Sequence, residues 1–149
     1  MKIFRGLQIQ EVVDKMNEIM FSTDLTNETD SYSHLLGYGA MFLGDETICI
    51  MTDDMNSFLL AMIDDHMIEV DMWAGKDNKI SFKDMFQYIN VLKNLFDDNQ
   101  EITIRANFRI TTSLPIMQRL IKRYGMEVEY MDEEENGFRV MSIIYDPTR

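Results

Sequence analysis

The residues of this chain that could carry out chemistry are mostly carboxylates. Glu69 and Asp71 alternate along a predicted strand, so both side chains would lie on one face, where a carboxylate can act as a general base. His66, in the turn before that strand, is a second candidate for the same role. Carboxylates on exposed strands are more often simply solvated, and the pattern leaves both interpretations open.

Several other catalytic and metal-binding patterns are absent from the sequence. It contains no Gly-x-Ser-x-Gly elbow, Walker loop, His-Glu-x-x-His pair or calcium-binding loop. The single Cys49 excludes an internal disulfide and a cysteine-rich zinc site, and the two histidines lack ligand spacing. Two acidic pairs at predicted turns could bind a metal ion but are more often solvated: Asp53-Asp54 and Asp64-Asp65. We therefore expect no metal site.

Charge is distributed unevenly along the chain, whose formal net charge is −12. The segment from Met16 to Gly75 contains no Lys or Arg and carries twelve acidic residues. The stretch from Arg105 to Arg123 instead carries five basic residues and no acid. Such asymmetry can mark two faces with different partners, or only a well-solvated acidic surface. We expect no direct nucleic-acid partner, because the acidic field opposes the phosphate backbone.

Length and composition fit one folded domain. A chain of 149 residues can bury a core, and its 46% hydrophobic content argues against disorder. No apolar run approaches the roughly 18 residues of a membrane span, and the beginning, MKIFRGLQIQ, lacks the apolar stretch of a signal peptide. We therefore expect a single soluble domain over residues 1–149, located in the cytoplasm, with no membrane partner.

Hydrophobic periodicity predicts the elements that would position these residues. The chain begins with a strand and two helices, the second weakened by glycine, at Lys2–Gln8, Ile9–Met20 and Tyr32–Phe42. Three strands follow, at Glu46–Thr52, Ser57–Ile63 and Met67–Ala74. A four-residue turn separates the first two of these strands, which indicates a hairpin.

The second half of the chain predicts two helices and three strands. Ser81 caps the first helix, and Thr112 or Ser113 opens the second, which Gly125 ends as a left-handed cap. The strands are Glu101–Asn107, Glu127–Met131 and Phe138–Tyr145. Apolar faces of these elements predict deep burial of five side chains: Phe86, Ile89, Ile104, Leu120 and Ile143.

The order of elements, β-α-α-β-β-β-α-β-α-β-β, resembles that of the GNAT superfamily of N-acetyltransferases over nearly the whole chain. The segment SLPIMQRLIKRYGMEVEY is similar to the family's late helix-glycine-strand signature. The resemblance implies a single α/β domain with a mixed, mostly antiparallel sheet and helices on both faces. It also implies that the fourth and fifth strands are parallel neighbours that splay apart at their C-terminal ends. Compact GNAT-like proteins of bacteriophages, including internal virion proteins, are similarly short.

In the GNAT family, acetyl-CoA lies between those two strands, and a Gln/Arg-x-x-Gly-x-Gly/Ala loop cradles its pyrophosphate. The loop works because unpaired N–H groups at a helix N-terminus attract an anion. The matching stretch here has one glycine and places Asp77 where the anion would pass, so an ordinary polar connection is the alternative. The candidate cofactor residues that the resemblance implies are Trp73, Gly75, Lys76, Lys79, Ser81 and, just beyond the fifth strand, Asn107.

The resemblance also implies a catalytic acid and a catalytic base. Family members often use a tyrosine four residues before the late glycine to protonate the departing thiolate, but that position is Ile121 here. Tyr124, directly before the glycine and on a different face of the helix, either replaces this acid or packs in the core. Glu69 and Asp71 are the candidate bases for an amine acceptor.

Two functions fit these observations. The first is a GNAT-fold protein with a degenerate acetyl-CoA loop, catalytically silent, that serves as a virion component or as an inhibitor of a host factor. The second is an acetyl-CoA-dependent N-acetyltransferase acting on a cationic amine or a basic protein. In both cases the acidic segment 16–75 would receive the basic partner. A phage-encoded protein of this kind would act in the host cytoplasm or in the virion.

Overall fold

The computed structural model describes residues 1–5, 10–22, 46–78, 81–96, 98–109, 113–132 and 137–148. The predicted second helix and most of the loop before it lie outside these residues. The described helices are α1 (Gln10–Phe21), α2 (Phe82–Lys93) and α3 (Ser113–Tyr124), with a short 3-10 helix at Lys76–Asn78. The strands are β1 (Lys2–Arg5), β2 (Thr47–Met51), β3 (Ser57–Asp64), β4 (Met67–Gly75), β5 (Ile102–Arg109), β6 (Glu127–Met131) and β7 (Phe138–Tyr145).

Hydrogen bonding orders the strands β1-β2-β3-β4-β5-β7-β6. The pairs β1/β2, β2/β3, β5/β7 and β7/β6 are antiparallel, whereas β4 and β5 are parallel. The mixed α/β sheet and its parallel fourth and fifth strands, both predicted from the element order, are therefore confirmed. The sequence reading of a single domain stays a prediction, because the contacts divide the chain into two compact units.

Unit 1 comprises residues 1–62 and 71–81, and its core lies between α1 and two strands. Three α1 side chains at helical spacing pack against alternate residues of β2 and β3, which share one face because the register pairs Cys49 with Leu60. The cluster consists of Val12, Met16, Ile19, Cys49, Met51, Phe58, Leu60 and Ala74. Every residue of β2 is buried, including those that point away from this cluster, so both faces of the strand are covered.

Unit 2 comprises residues 63–70 and 82–149, and its core is built on the β5/β7 pair. Ile104 faces Ile143 in the register, and both side chains are almost completely buried. Ile89 of α2 and Leu120 of α3 are buried as predicted. Full burial of one such aliphatic side chain contributes about 1.5–3 kcal/mol.

The prediction that Phe86 is deeply buried is wrong. Its side chain is half-buried, because its partners lie at the surface: the ring stacks on the half-buried Tyr124 with centroids 5.7 Å apart, and the guanidinium of the exposed Arg123 lies 4.8 Å from the ring centroid. Tyr88 takes the buried position on α2 instead. The predicted apolar face of α2 included Phe86 and left out Tyr88; at about 100° per residue the two lie at opposite edges of that face, where period alone does not decide which one turns inward.

The C-terminus of α3 ends as the sequence predicts. Gly125 adopts φ 62°, a left-handed conformation that favours glycine. The N–H of Gly125 donates to the carbonyl of Lys122 at 3.4 Å, and the N–H of Met126 donates to that of Ile121 at 3.0 Å. These two bonds form a Schellman motif, which satisfies two carbonyls at the end of the helix.

Candidate functional site

The parallel ladder between β4 and β5 covers only the beginning of both strands. Three residue pairs are in register, the last of them Glu69 with Arg105, although β4 continues to Gly75 and β5 to Arg109. The N–H of Thr103 also donates to the carbonyl of His66 at 3.0 Å, just before the ladder begins. Splaying of the strands beyond this ladder stays a prediction.

The two candidate bases lie on β4. The Glu69 side chain is exposed, and so is that of Arg105, its register partner. Within the described residues the Glu69 carboxylate takes part in no hydrogen bond or ion pair, as expected of a solvated strand carboxylate. Asp71 lies two residues later on the same strand; its side chain is not among those that the structure describes.

The connection from β4 to α2 uses its backbone donors within unit 1. After Gly75, the N–H of Lys76 donates to the carbonyl of Asn56 at 2.7 Å. The N–H of Asp77 donates to Oγ of Ser22 at 2.8 Å, and that hydroxyl donates to the carbonyl of Ile19 at 2.6 Å. The chain reaches this geometry because Asp77 adopts a left-handed conformation, with φ 56° and ψ 34°.

A pyrophosphate cradle would draw on the backbone N–H groups of such a connection. A cradle needs unpaired N–H groups that point at the anion, and two consecutive N–H groups here already have acceptors. The exposed side chain of Asp77 adds a negative charge beside them. Of the cofactor candidates in this region, Trp73 is half-buried, Gly75 is buried, Lys76 and Ser81 are exposed, and Lys79 lies outside the described residues.

Tyr124 lies in unit 2 and packs against aromatic and cationic side chains. Its ring stacks on Phe86, and Nζ of Lys93 lies 4.4 Å from its centroid. The hydroxyl oxygen is buried and has no hydrogen-bond partner among the described residues. Burial raises the pKa of Tyr124, so the hydroxyl stays protonated. These contacts match the packing role that the sequence left open.

Asn107 is placed differently from the prediction. It lies inside β5, opposite Val140 of β7, and not beyond the strand in a turn. The strand extends to Arg109 because β7 pairs with it along its whole length. The predicted strand ended at Asn107, two residues too early, because asparagine is common in turns.

A polar cluster that the sequence did not predict surrounds His66 in unit 2. The Nδ1 atom of His66 lies 2.6 Å from Oδ1 of Asp65, and Nε2 lies 2.7 Å from Oδ2 of Asp98. The imidazole also stacks on Phe96, with ring centroids 4.5 Å apart. Asp98 follows His66 by 32 residues, and no local signal in the sequence pairs them.

Two other kinds of functional feature are absent from the described ranges. No group of three or more His, Cys, Asp or Glu side chains there could hold a metal ion. None of the described helices is long and apolar enough to cross a membrane.

The strand order and the parallel β4/β5 pair define the class of the fold, which is that of the GNAT acetyltransferases. An aminoglycoside 6'-acetyltransferase type Ii is similar with a TM-score of 0.64 and 12% identity, covering 99% of this chain and 97% of that chain. A GNAT-family acetyltransferase from Bacillus anthracis is similar with a TM-score of 0.64 and 11% identity, covering 99% and 95%.

An acetyltransferase from Bacillus subtilis in complex with CoA is similar with a TM-score of 0.53 and 14% identity, covering 97% of both chains. No protein-family model and no curated protein matches the sequence. At these identities the likeness establishes the fold of the chain and leaves its activity to the residues of the site.

Proposed function

We propose that this GNAT-fold protein does not transfer acetyl groups and acts as a binding or structural protein. One observation carries the proposal: the N–H groups of Lys76 and Asp77 donate to Asn56 and Ser22, at the place where the fold would receive a pyrophosphate. The loop is degenerate in this sense. Such a protein suits a role as a bacteriophage virion component or as an inhibitor of a host factor.

The energies involved support this proposal. Releasing each of the two N–H groups costs a net hydrogen bond of about 0.5–1.5 kcal/mol. A carboxylate such as that of Asp77, about 4 Å from a phosphate oxygen near the surface, adds a repulsion on the order of 1–4 kcal/mol. The sum removes a large share of the roughly 4–8 kcal/mol that millimolar to micromolar binding represents.

Calorimetric titration with acetyl-CoA tests the proposal. The wild type and a Lys76→Glu/Lys79→Glu variant should both give no saturable heat up to about 1 mM cofactor. Saturable binding by the wild type, weakened at least tenfold in the variant, would overturn the proposal. Such a result would mean that the two lysines supply positive charge to a working cofactor site.

We also propose a partner for this protein: a basic protein or a cationic amine that binds the acidic segment 16–75. Glu46, Asp53 and Asp54 are exposed in unit 1. Hydrogen bonds from the Thr52 hydroxyl and from the N–H of Asn56 lower the pKa of Asp54, so this carboxylate keeps its charge in mildly acidic solution. A fixed, ionised turn is a suitable contact for lysine or arginine side chains.

Binding of a lysine-rich peptide, followed by fluorescence anisotropy, tests this contact. We expect binding that weakens as salt rises, and a clear loss of affinity in a Glu46→Gln/Asp53→Asn variant. The matched control is Glu101→Gln/Glu129→Gln, which removes the same charge from exposed positions of unit 2. Equal losses in both variants would contradict a contact at the acidic segment, because they would reflect net charge alone.

Acetyl transfer is the second candidate function, and the short β4/β5 ladder favours it. A ladder confined to the beginning of two parallel strands is compatible with a cofactor beyond it, and one structural neighbour is in complex with CoA. Glu69 or Asp71 would then be the base and Tyr124 the acid. Release of CoA in the presence of a polyamine or lysine peptide, lost on Glu69→Gln, would establish this function instead.

A further inference from the structure

The two helices of unit 2 carry a surface on which cations stack on aromatic rings. The guanidinium carbon of Arg119 lies 4.5 Å from the centroid of Phe82, and that of Arg123 lies 4.8 Å from the centroid of Phe86. The amine of Lys93 lies 4.4 Å from the centroid of Tyr124. We call these six residues the cation–aromatic surface.

The cations of this surface are not neutralised by the protein. The α3 helix carries Arg119, Lys122 and Arg123 and no acidic residue, and all three side chains are exposed. Among the described residues neither these three cations nor Lys93 forms an ion pair. A local positive patch therefore persists in a chain whose net charge is −12.

Stacking prepares the two arginines for an anionic partner. A guanidinium that lies over an aromatic ring is restrained by that contact, while its N–H groups can still donate to a partner. Those N–H groups match the two oxygens of a carboxylate in a bidentate pair. Because Phe82 and Phe86 already restrict the two side chains, less conformational entropy is lost when the partner binds.

We infer that the cation–aromatic surface binds an acidic segment of another protein. Arg119 and Arg123 are four residues apart on α3, so they present two cations about 6 Å apart along the helix axis. This spacing suits two carboxylates one helical turn apart in a polypeptide. A nucleic acid would need a much longer row of cations, because its affinity comes from the neutralisation of many phosphates and α3 offers three exposed cations. The acidic remainder of this chain, whose net charge is −12, would also repel such a polyanion.

This partner is distinct from the basic partner of the acidic segment, and the inference does not depend on the absence of acetyl transfer. Direct binding of a fluorescein-labelled glutamate-rich peptide, about 15 residues long, tests it by anisotropy in about 0.05 M salt. The variant is Arg119→Glu/Arg123→Glu. The matched control is Lys2→Glu/Lys15→Glu, which changes net charge equally but lies in unit 1.

We expect the wild type to bind the peptide saturably and the α3 variant to lose at least tenfold in affinity, about 1.4 kcal/mol. The unit 1 control should lose less than about threefold in affinity, because it changes only the net charge. An Arg119→Lys/Arg123→Lys variant keeps the charge but not the bidentate fork, and should bind with intermediate affinity. Circular dichroism and thermal unfolding confirm that each variant is folded.

Four results would overturn the inference. The first is that the folded wild type does not bind the peptide saturably, and the second is that the α3 variant and the unit 1 control lose affinity equally. The third is that a single-stranded oligonucleotide with the same number of charges binds more tightly than the peptide. The fourth is that the protein self-associates in a concentration-dependent way and that the α3 variant does not. The third result would identify a nucleic acid as the occupant, and the fourth, measured by sedimentation equilibrium, would identify a second copy of this chain.

Discussion

The Nε2 atom of His66 lies 2.7 Å from Oδ2 of Asp98, while Nδ1 of the same ring lies 2.6 Å from Oδ1 of Asp65. Both ring nitrogens therefore face carboxylate oxygens, which only accept hydrogen bonds. Both contacts are hydrogen bonds only when the imidazole is protonated, because a neutral ring turns one lone pair towards a carboxylate. The pair joins the turn after β3 to the connection between α2 and β5 within unit 2.

His66 should titrate at a higher pH than a free histidine. The hydrogen bond with Asp65 raises the pKa of His66 from 6.5, burial opposes this, and the contact with Asp98 raises the pKa further. The hydrogen bond from the N–H of Gln100 lowers the pKa of Asp98 from 3.8, and the contact with His66 lowers it further. The charged pair therefore stabilises the fold between about pH 4 and 6.5. Its contribution falls as pH rises through the folded pKa of His66, and also as pH falls through that of Asp98.

NMR titration of the His66 ring resonances measures this effect directly. We expect Asp98→Asn to lower the pKa of His66 and to weaken the pH dependence of stability between pH 6 and 8, the region in which histidine charge changes. Glu101→Gln, which removes an exposed carboxylate of the same unit, should leave both unchanged. A His66 pKa at or below 6.5 in the wild type would contradict the charged arrangement.

Replacing Leu120 by Ala should destabilise the protein strongly. Leu120 is completely buried on α3 in the core of unit 2. Loss of its side chain leaves a cavity, and we expect a decrease of about 2–5 kcal/mol in the free energy of unfolding. Gln118→Ala, at an exposed position two residues earlier, should stay within about 0.5 kcal/mol. If denaturant unfolding shows that Leu120→Ala lowers the free energy of unfolding by only a few tenths of a kcal/mol, this face of α3 is not the core face.

Cys49 should be unreactive while the protein is folded. Burial raises the pKa of its thiol to about 12, and the sulfur packs 3.9 Å from the sulfur of Met16. Since the thiolate is the reactive species, a thiol reagent such as dithionitrobenzoate should modify Cys49 very slowly near pH 8 and rapidly after unfolding. Rapid modification of the folded protein would mean that β2 is exposed to solvent at this point.

The sequence predicted the fold well because its signals are local. The period of apolar residues identified α2 and α3, and the glycine after Tyr124 identified the end of α3. Phe86 was misplaced because a helical period does not show that its ring packs against Tyr124 and Arg123 at the surface of the unit. Asn107 was misplaced because the length of β5 depends on pairing with β7, more than thirty residues later.

The candidate site was predicted less well because its decisive contacts join distant parts of the chain. The bond from Asp77 to Ser22 spans 55 residues, and the contact of His66 with Asp98 spans 32. The sequence showed that the loop has only one glycine, but it could not show where the N–H groups of Lys76 and Asp77 donate. Only the folded chain brings Asn56 and Ser22 to them.

The most direct test of the account is the behaviour of the Lys76 and Asp77 backbone amides in NMR spectra of isotope-labelled protein. Because both amides have internal acceptors, they should exchange slowly with solvent and keep their chemical shifts when acetyl-CoA is added to about 1 mM. Ser22→Ala should accelerate exchange at Asp77 and leave Lys76 protected. Rapid exchange at both amides in the wild type, with shifts that saturate as acetyl-CoA is added, would contradict the account and establish a working cofactor loop.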